Sequence, residues 1–181
     1  FRIVAWRNFQ VNDFNRKVRR LMFGENVDQP FNPGERAVTA GAVHRLADDD
    51  EQDTRVVLHS AVEGRVLGCH QVAHPWFDEE CFLSWEINFK PEDKSDTVLY
   101  LPHASEENHI RFSLNEHAIL AKAGEAPWWP YWKLKRSMAD LRPCHAITTH
   151  RSQGSTYKNV FVDALDILAN RNRREALRCL Y

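Results

Sequence analysis

Within the seven residues His150-Arg151-Ser152-Gln153-Gly154-Ser155-Thr156 stand an imidazole, a guanidinium, three hydroxyls and an amide, together with a glycine that lets backbone N–H groups approach an anion. The run Ala146-Ile147-Thr148 just before them reads as a strand. A polar loop at the carboxyl end of a strand is where open α/β sheets place their ligands, so the chemistry this set supports is phosphate contact. A plain polar turn is the alternative. Three other sets are weaker. Cys69, His70, His74 and Cys81 suggest a metal site only at first sight, because neighbouring strand residues point to opposite faces and no paired spacing supports them. Trp76, Trp85, Trp128, Trp129 and Trp132 could stack bases, but core packing is expected, since Trp128 and Trp132 recur at helical spacing beside a proline turn. The acidic run at 48–51 reads as a solvated hairpin tip rather than a cation site. No catalytic residue, no metal ligand and no nuclease carboxylate cluster is assigned.

The elements that must position the polar loop follow from periodicity. Ile3-Val4-Ala5-Trp6 suits a buried strand, and Val11, Phe14, Val18, Leu21 and Met22 then recur on one helical face up to a stop at Gly24. After Asn32-Pro33-Gly34 the pattern changes to short strands, expected at 37–39, 55–62, 65–72, 81–89 and 97–101, a number that suggests a small barrel. Glu63-Gly64 and Lys90-Pro91-Glu92-Asp93 read as breaks between them. Ser105 is the expected N-cap of a helix running to Gly124, and a second short helix follows Pro130 with Tyr131, Leu134 and Met138. The α/β character returns with strands at 146–148 and 159–162 and a mostly helical stretch from 165 to 181. The expected architecture is an α/β domain with a small β barrel inserted into it.

Charge divides along the same lines. The net charge of -1 conceals six Lys/Arg against one acid in residues 1–24, and ten against five in residues 125–181. The intervening 100 residues carry eight against nineteen. Two basic flanks around an acidic insert are compatible with a polyanion-facing surface, although unevenly charged solvated faces would look the same. The four cysteines lack the spacing of a zinc ribbon or a secreted disulfide framework, and no apolar run reaches membrane-spanning length. No signal-peptide pattern opens the chain, so it is expected to be soluble and cytoplasmic, without a membrane partner. A start at Phe1, directly into a strand, leads to the expectation of a longer natural protein.

The segment "THRSQGSTYKNVFVD" resembles motif V of superfamily 1B DNA helicases of the Dda/RecD type. "APWWPYWKLKRSM" before it and "LRCLY" after it fit the same family, and "VAWRNFQVNDFNRKVRRLMFG" resembles its motif IVa. The match covers both flanks and fades through residues 36–104. The resemblance implies a RecA-like P-loop NTPase-type domain, 2A, built from residues 1–35 and 105–181, with an SH3-like β barrel, 2B, inserted at 36–104. It implies that His150, Arg151 and Ser152 contact the backbone of single-stranded DNA, with Arg7 and Asn8 as further candidates; a helix cap and an exposed charge are their ordinary alternative. Gln153, Gly154, Ser155 and Thr156 would couple to the nucleotide, although many relatives carry a glutamate where Thr156 stands. It also implies ATP and Mg²⁺ in the full-length protein, with an N-terminal RecA-like domain and single-stranded DNA as partners. This chain contains no G-x-x-x-x-G-K-[ST], and relatives continue beyond "LRCLY" into an arginine-finger motif, so it is expected to bind no nucleotide and hydrolyse no ATP alone. Two alternatives differ in partner: an SH3-like interaction module of a replication or recombination factor, and the RecD-type subunit of exonuclease V in DNA repair.

Overall fold

The computed structural model describes residues 1–24, 29–47, 53–77 and 82–180, which divide into two compact units, Phe1–Asp28 with Pro143–Tyr181, and Gln29–Arg142. In the first unit the apolar run at the start forms β1 (Arg2–Ala5). It is the middle strand of a three-stranded parallel sheet, with β9 (Ala146–Thr148) on one side and β10 (Val160–Val162) on the other. Ile3 stands opposite both Ala146 and Phe161. Helix α1 (Asn8–Phe23) stops where Gly24, at φ 80°, returns its N–H to Arg20 O. Val11 is buried and Phe14 and Val18 are half-buried, but Leu21 and Met22, expected on the same buried face, are 86% and 57% exposed. The reason is length. A helix of 16 residues runs about 24 Å, whereas a strand of 4 residues covers roughly 13 Å, so the sheet ends before the helix does.

Polar clamps supplement this small core. The Asn15 side chain donates to Ala146 O (3.1 Å) and accepts from Ala146 N (2.8 Å). Ala146 lies on the sheet's edge strand, and Asn15 takes up the ladder groups that β1 leaves unpaired. That is why a polar residue occupies a buried position between Val11 and Val18. The C-terminal stretch forms α4 (Thr149–Ser152), α5 (Ala164–Leu168) and α6 (Arg173–Leu180). The helix expected from 165 onward is interrupted because Asn170 Oδ1 accepts Asn172 N–H and Asn172 Oδ1 accepts Glu175 N–H, an asparagine turn feeding an N-cap.

The second unit is antiparallel. Strands β2 (Arg36–Thr39), β5 (Glu63–Ala73), β6 (Leu83–Pro91), β7 (Thr97–Pro102) and β8 (Leu141–Pro143) form one sheet in the order β7-β6-β5-β2-β8. A separate hairpin joins β3 (Val43–Leu46) to β4 (Thr54–Leu58). Val43 and Leu58 carry the hairpin into the core of Phe31, Val66, Ile87 and Leu99. Among the described residues no strand pairing closes the five strands through the hairpin into a barrel. Helices α2 (Glu107–Ala123) and α3 (Trp129–Ser137) also fall in this unit, and Ala139 and Leu141 beyond them enter the same core.

Three local expectations are corrected. The strand at 55–62 ends at Leu58, since Ala61 takes a left-handed φ of 65° and Thr39 Oγ1 bonds both His59 O and Val62 N across the turn. Glu63-Gly64 opens β5 rather than separating strands. A Cβ on Gly64 would overlap the Lys90 carbonyl and come within 2.6 Å of the Phe89 ring, so glycine permits a close strand approach there. The α2 helix is entered through a 3-10 turn, Ala104–Glu106, in which His103 rather than Ser105 is the cap, its Nδ1 accepting Ser105 N–H. The acidic run at 48–51 lies outside the described residues.

Candidate nucleic-acid interface

Because β1, β9 and β10 are parallel, the segments leaving their carboxyl ends emerge at one end of the sheet. After β1 come Trp6, Arg7 and Asn8; after β9 come α4 and the turn from Gln153; after β10 come Asp163 and α5. The fold therefore gathers Arg7 and Asn8 with His150, Arg151 and Ser152 at one sheet end, although they lie near opposite termini of the sequence.

Asp166, which the sequence reading did not single out, organises this end. It is 3% exposed. Its Oδ2 accepts the N–H groups of Trp6 (2.7 Å) and Arg7 (2.9 Å), and its Oδ1 accepts Arg7 Nε–H. Burial opposes the charged carboxylate, but the Arg7 backbone N–H, its guanidinium and the Trp6 N–H outweigh burial and hold the carboxyl below its ordinary value. Asp163 accepts Asp166 N–H (3.0 Å), capping α5. The signal in the sequence was the Asp-x-x-Asp spacing of a helix start; what it could not reveal was that the second aspartate serves the β1–α1 junction. Arg7 is thus committed first to the fold, with its guanidinium carbon 4.6 Å from the centre of the Phe9 ring. A phosphate at this residue would use the guanidinium N–H groups other than Nε. Asn8 is exposed at the first position of α1.

On α4 the three expected DNA-contacting residues differ. Arg151 is exposed, and its guanidinium has no hydrogen-bond or ion-pair partner among the described residues. His150 is exposed, with Nε2 3.7 Å from Glu175 Oε1. Ser152 is half-buried and donates its hydroxyl proton to Thr149 O (2.7 Å), a bond that a phosphate acceptor would have to displace. Thr149 is buried and bonds Cys179 on α6 (3.3 Å), anchoring α4 from below. Gln153 at φ -60°, ψ 129°, Gly154 at φ 81° and the bond from Ser155 N to Ser152 O (3.1 Å) make a type II turn. Glycine is needed at its third position. Gln153, Gly154, Ser155 and Thr156 are all exposed.

In the other unit, the described members of the Cys69, His70, His74 and Cys81 set do not converge on a metal site, Cys81 lying outside the described residues. Cys69 is buried and His70 exposed on alternate faces of β5, and both ring nitrogens of His74 are engaged by backbone groups. Among the described residues no group of three or more His, Cys, Asp or Glu could hold a metal. Core packing holds for Trp85, 8% exposed. It fails for Trp128 and Trp132, which are 41% and 38% exposed. No helix among the described residues is long and apolar enough to cross a membrane.

Residues 143–181, the part containing the motif V-like segment, match the family model described as UvrD-like helicase C-terminal domain. Uncharacterized protein R530 of Acanthamoeba polyphaga mimivirus is 45% identical over 49 residues, which are 27% of this chain and 10% of that protein. The aligned segment thus spans about a tenth of the length of this curated relative. The crystal structure of Pif1 helicase from Candida albicans aligns with 97% of this chain and 42% of that one, at TM-score 0.45 and 12% identity.

Proposed function

Taking residues 143–181 as a UvrD-like helicase C-terminal segment, we propose that this chain supplies a single-stranded DNA grip to an ATP-dependent DNA helicase of superfamily 1B. The observation that carries the reading is Arg151, an exposed guanidinium without a protein partner among the described residues, set on α4 at the carboxyl end of the parallel sheet. A planar fork of donors at that place suits a phosphate oxygen pair and carries no base preference. His150 and Asn8 add exposed polar groups at the same end. In this reading the unit of Phe1–Asp28 and Pro143–Tyr181 is the RecA-like domain 2A, supported by its all-parallel sheet and flanking helices. The antiparallel strands between residues 36 and 102 correspond to the SH3-like insert 2B, supported by a sheet that shares no strand with the parallel one.

ATP and Mg²⁺ do not fit the residues present. Nothing in the sequence matches a phosphate-cradling G-x-x-x-x-G-K-[ST] loop, and the described residues lack a metal-holding cluster. The nucleotide is assigned to other parts of a longer protein, toward which Gln153, Gly154, Ser155 and Thr156 would contribute an exposed turn.

The test is an anisotropy titration of fluorescein-labelled oligothymidylate with the chain and its Arg151→Ala variant across a salt series. Loss of one phosphate contact should flatten the plot of log affinity against log salt by about 0.7. An unchanged slope would remove Arg151 from the interface and the proposed grip with it.

A further inference from the structure

The outer face of α3 presents an arrangement that the grip does not use. Trp128 and Trp132 are substantially exposed on it, an unusual disposition for the largest apolar side chains. Tyr131 stands edge-on to both, with ring centres 5.5 Å from Trp128 and 5.0 Å from Trp132. Two cations lean over the Trp132 ring, Lys135 Nζ at 5.3 Å and the Arg136 guanidinium at 5.2 Å. Lys133 lies over the neighbouring Phe77 ring at 5.3 Å. No carboxylate occurs between residues 126 and 139. The base of the helix is fixed: Leu134 and Ser137 are buried, and the Ser137 carbonyl accepts a hydrogen bond from the buried His74 ring (3.2 Å).

We propose that this face of α3 is a stacking platform for single-stranded nucleic acid, on which Trp132, flanked by Trp128, receives an unpaired base while Lys135 and Arg136 supply charge to the adjoining phosphates. The partner has to be flat enough to lie on an indole and anionic enough to favour a helix bearing three cations and no acid. A nucleotide strand combines both properties, since every base has a π face and every linkage a negative charge. An acidic peptide would meet the charge but not the aromatic geometry. The platform stands independently of Arg151 and of the parallel sheet. It extends the same ligand class to a second surface.

The experiment compares binding of the full chain to an oligothymidylate and to an abasic oligomer of equal length and charge, by fluorescence anisotropy, for wild type and for Trp132→Leu, Trp132→Phe and Trp128→Leu. Circular dichroism checks that each variant is folded. Wild type should prefer the oligomer with bases on the order of 10-fold, Trp132→Leu should lose that preference, and Trp132→Phe should keep most of it. Equal wild-type binding to both oligomers overturns the platform without reference to any variant, as does failure to bind either. Trp132→Leu retaining the full preference also overturns it, as would an acidic peptide displacing the oligomer only through residues elsewhere. The two surfaces are separable, because Arg151→Ala should alter the salt slope and leave the preference for bases intact.

Discussion

Acid should unfasten the second unit through His74. The ring is 1% exposed, enclosed by Trp76, Phe77, Phe82 and Tyr100. The N–H of Trp76 donates to Nδ1 (3.2 Å), so the ring proton sits on Nε2 and is given to Ser137 O. A second proton would have to enter at Nδ1, against the Trp76 N–H. Burial pushes the pKa from 6.5 down to about 4, with the bond to Ser137 opposing the shift. A depressed histidine favours the fold in its neutral form, so its contribution is complete above the unfolded value and is lost as pH falls from about 6.5 toward 4. Linkage puts the loss at about 2 kcal/mol by pH 5 and about 3 kcal/mol by pH 4. Asp166 contributes below this window, because its carboxyl is held under its ordinary value of 3.8 and its contribution disappears only on further acidification. The assay is urea unfolding of the chain at several pH values, beside His74→Phe, which fills the aromatic cage but cannot titrate there. The variant should be weaker at neutral pH and should show a flatter decline on acidification. Parallel declines for the two proteins would refute the assigned burial, tautomer and linkage together.

Asp166→Ala should destabilise the first unit by roughly 3 kcal/mol, because it leaves the Trp6 and Arg7 N–H groups and the Arg7 guanidinium without their acceptor. Asp166→Asn, which keeps a carbonyl acceptor, should cost less, and urea midpoints equal for wild type and Asp166→Ala would contradict this. Gly64→Ala should cost about 2 kcal/mol or more, because the new Cβ meets backbone at Lys90 rather than a side chain that can turn away. A thermal midpoint unchanged by Gly64→Ala would show that the strands can separate there without penalty.

The parts of the fold legible in the sequence are those set by local pattern. The apolar runs of β1 and β9, the amphipathic start of α1 and its stop at Gly24, and the long strands β5, β6 and β7 were all within reach of periodicity. β3 was not, because Val43-His44-Arg45-Leu46 has apolar residues at both ends of four positions and so matches no two-residue alternation. The end of β4 was hidden because alanine at position 61 gives no hint of a left-handed conformation. Helical spacing placed Trp132 on α3, with Trp128 at its N-cap just outside the helix, but could not say whether that face looks inward. At the candidate interface, the polar loop and its strand were legible. Asn15 and Asp166 were not, since each acts on backbone groups more than a hundred positions away.

Among the described residues of the first unit, Ala5, Val11 and Ala146 form one buried apolar cluster with Ile3 and Phe14 against it, and Val4, Ile147, Ile167 and Ala176 are buried besides. The sheet end that displays Arg151 is held by these apolar side chains together with the side-chain clamps at Asn15 and Asp166 and the Thr149–Cys179 bond. Removing a clamp and removing a contact to DNA would both lower the apparent affinity. They differ in salt dependence: a lost clamp reduces the folded fraction and leaves the slope of log affinity against log salt unchanged, whereas a lost phosphate contact changes the slope itself. Arg7 is part of a clamp through its bonds with Asp166, and in the proposed reading it would contact DNA as well. Its substitution should therefore lower stability and affinity together, which makes Arg151, exposed and without a protein partner among the described residues, the cleaner probe of the sheet end.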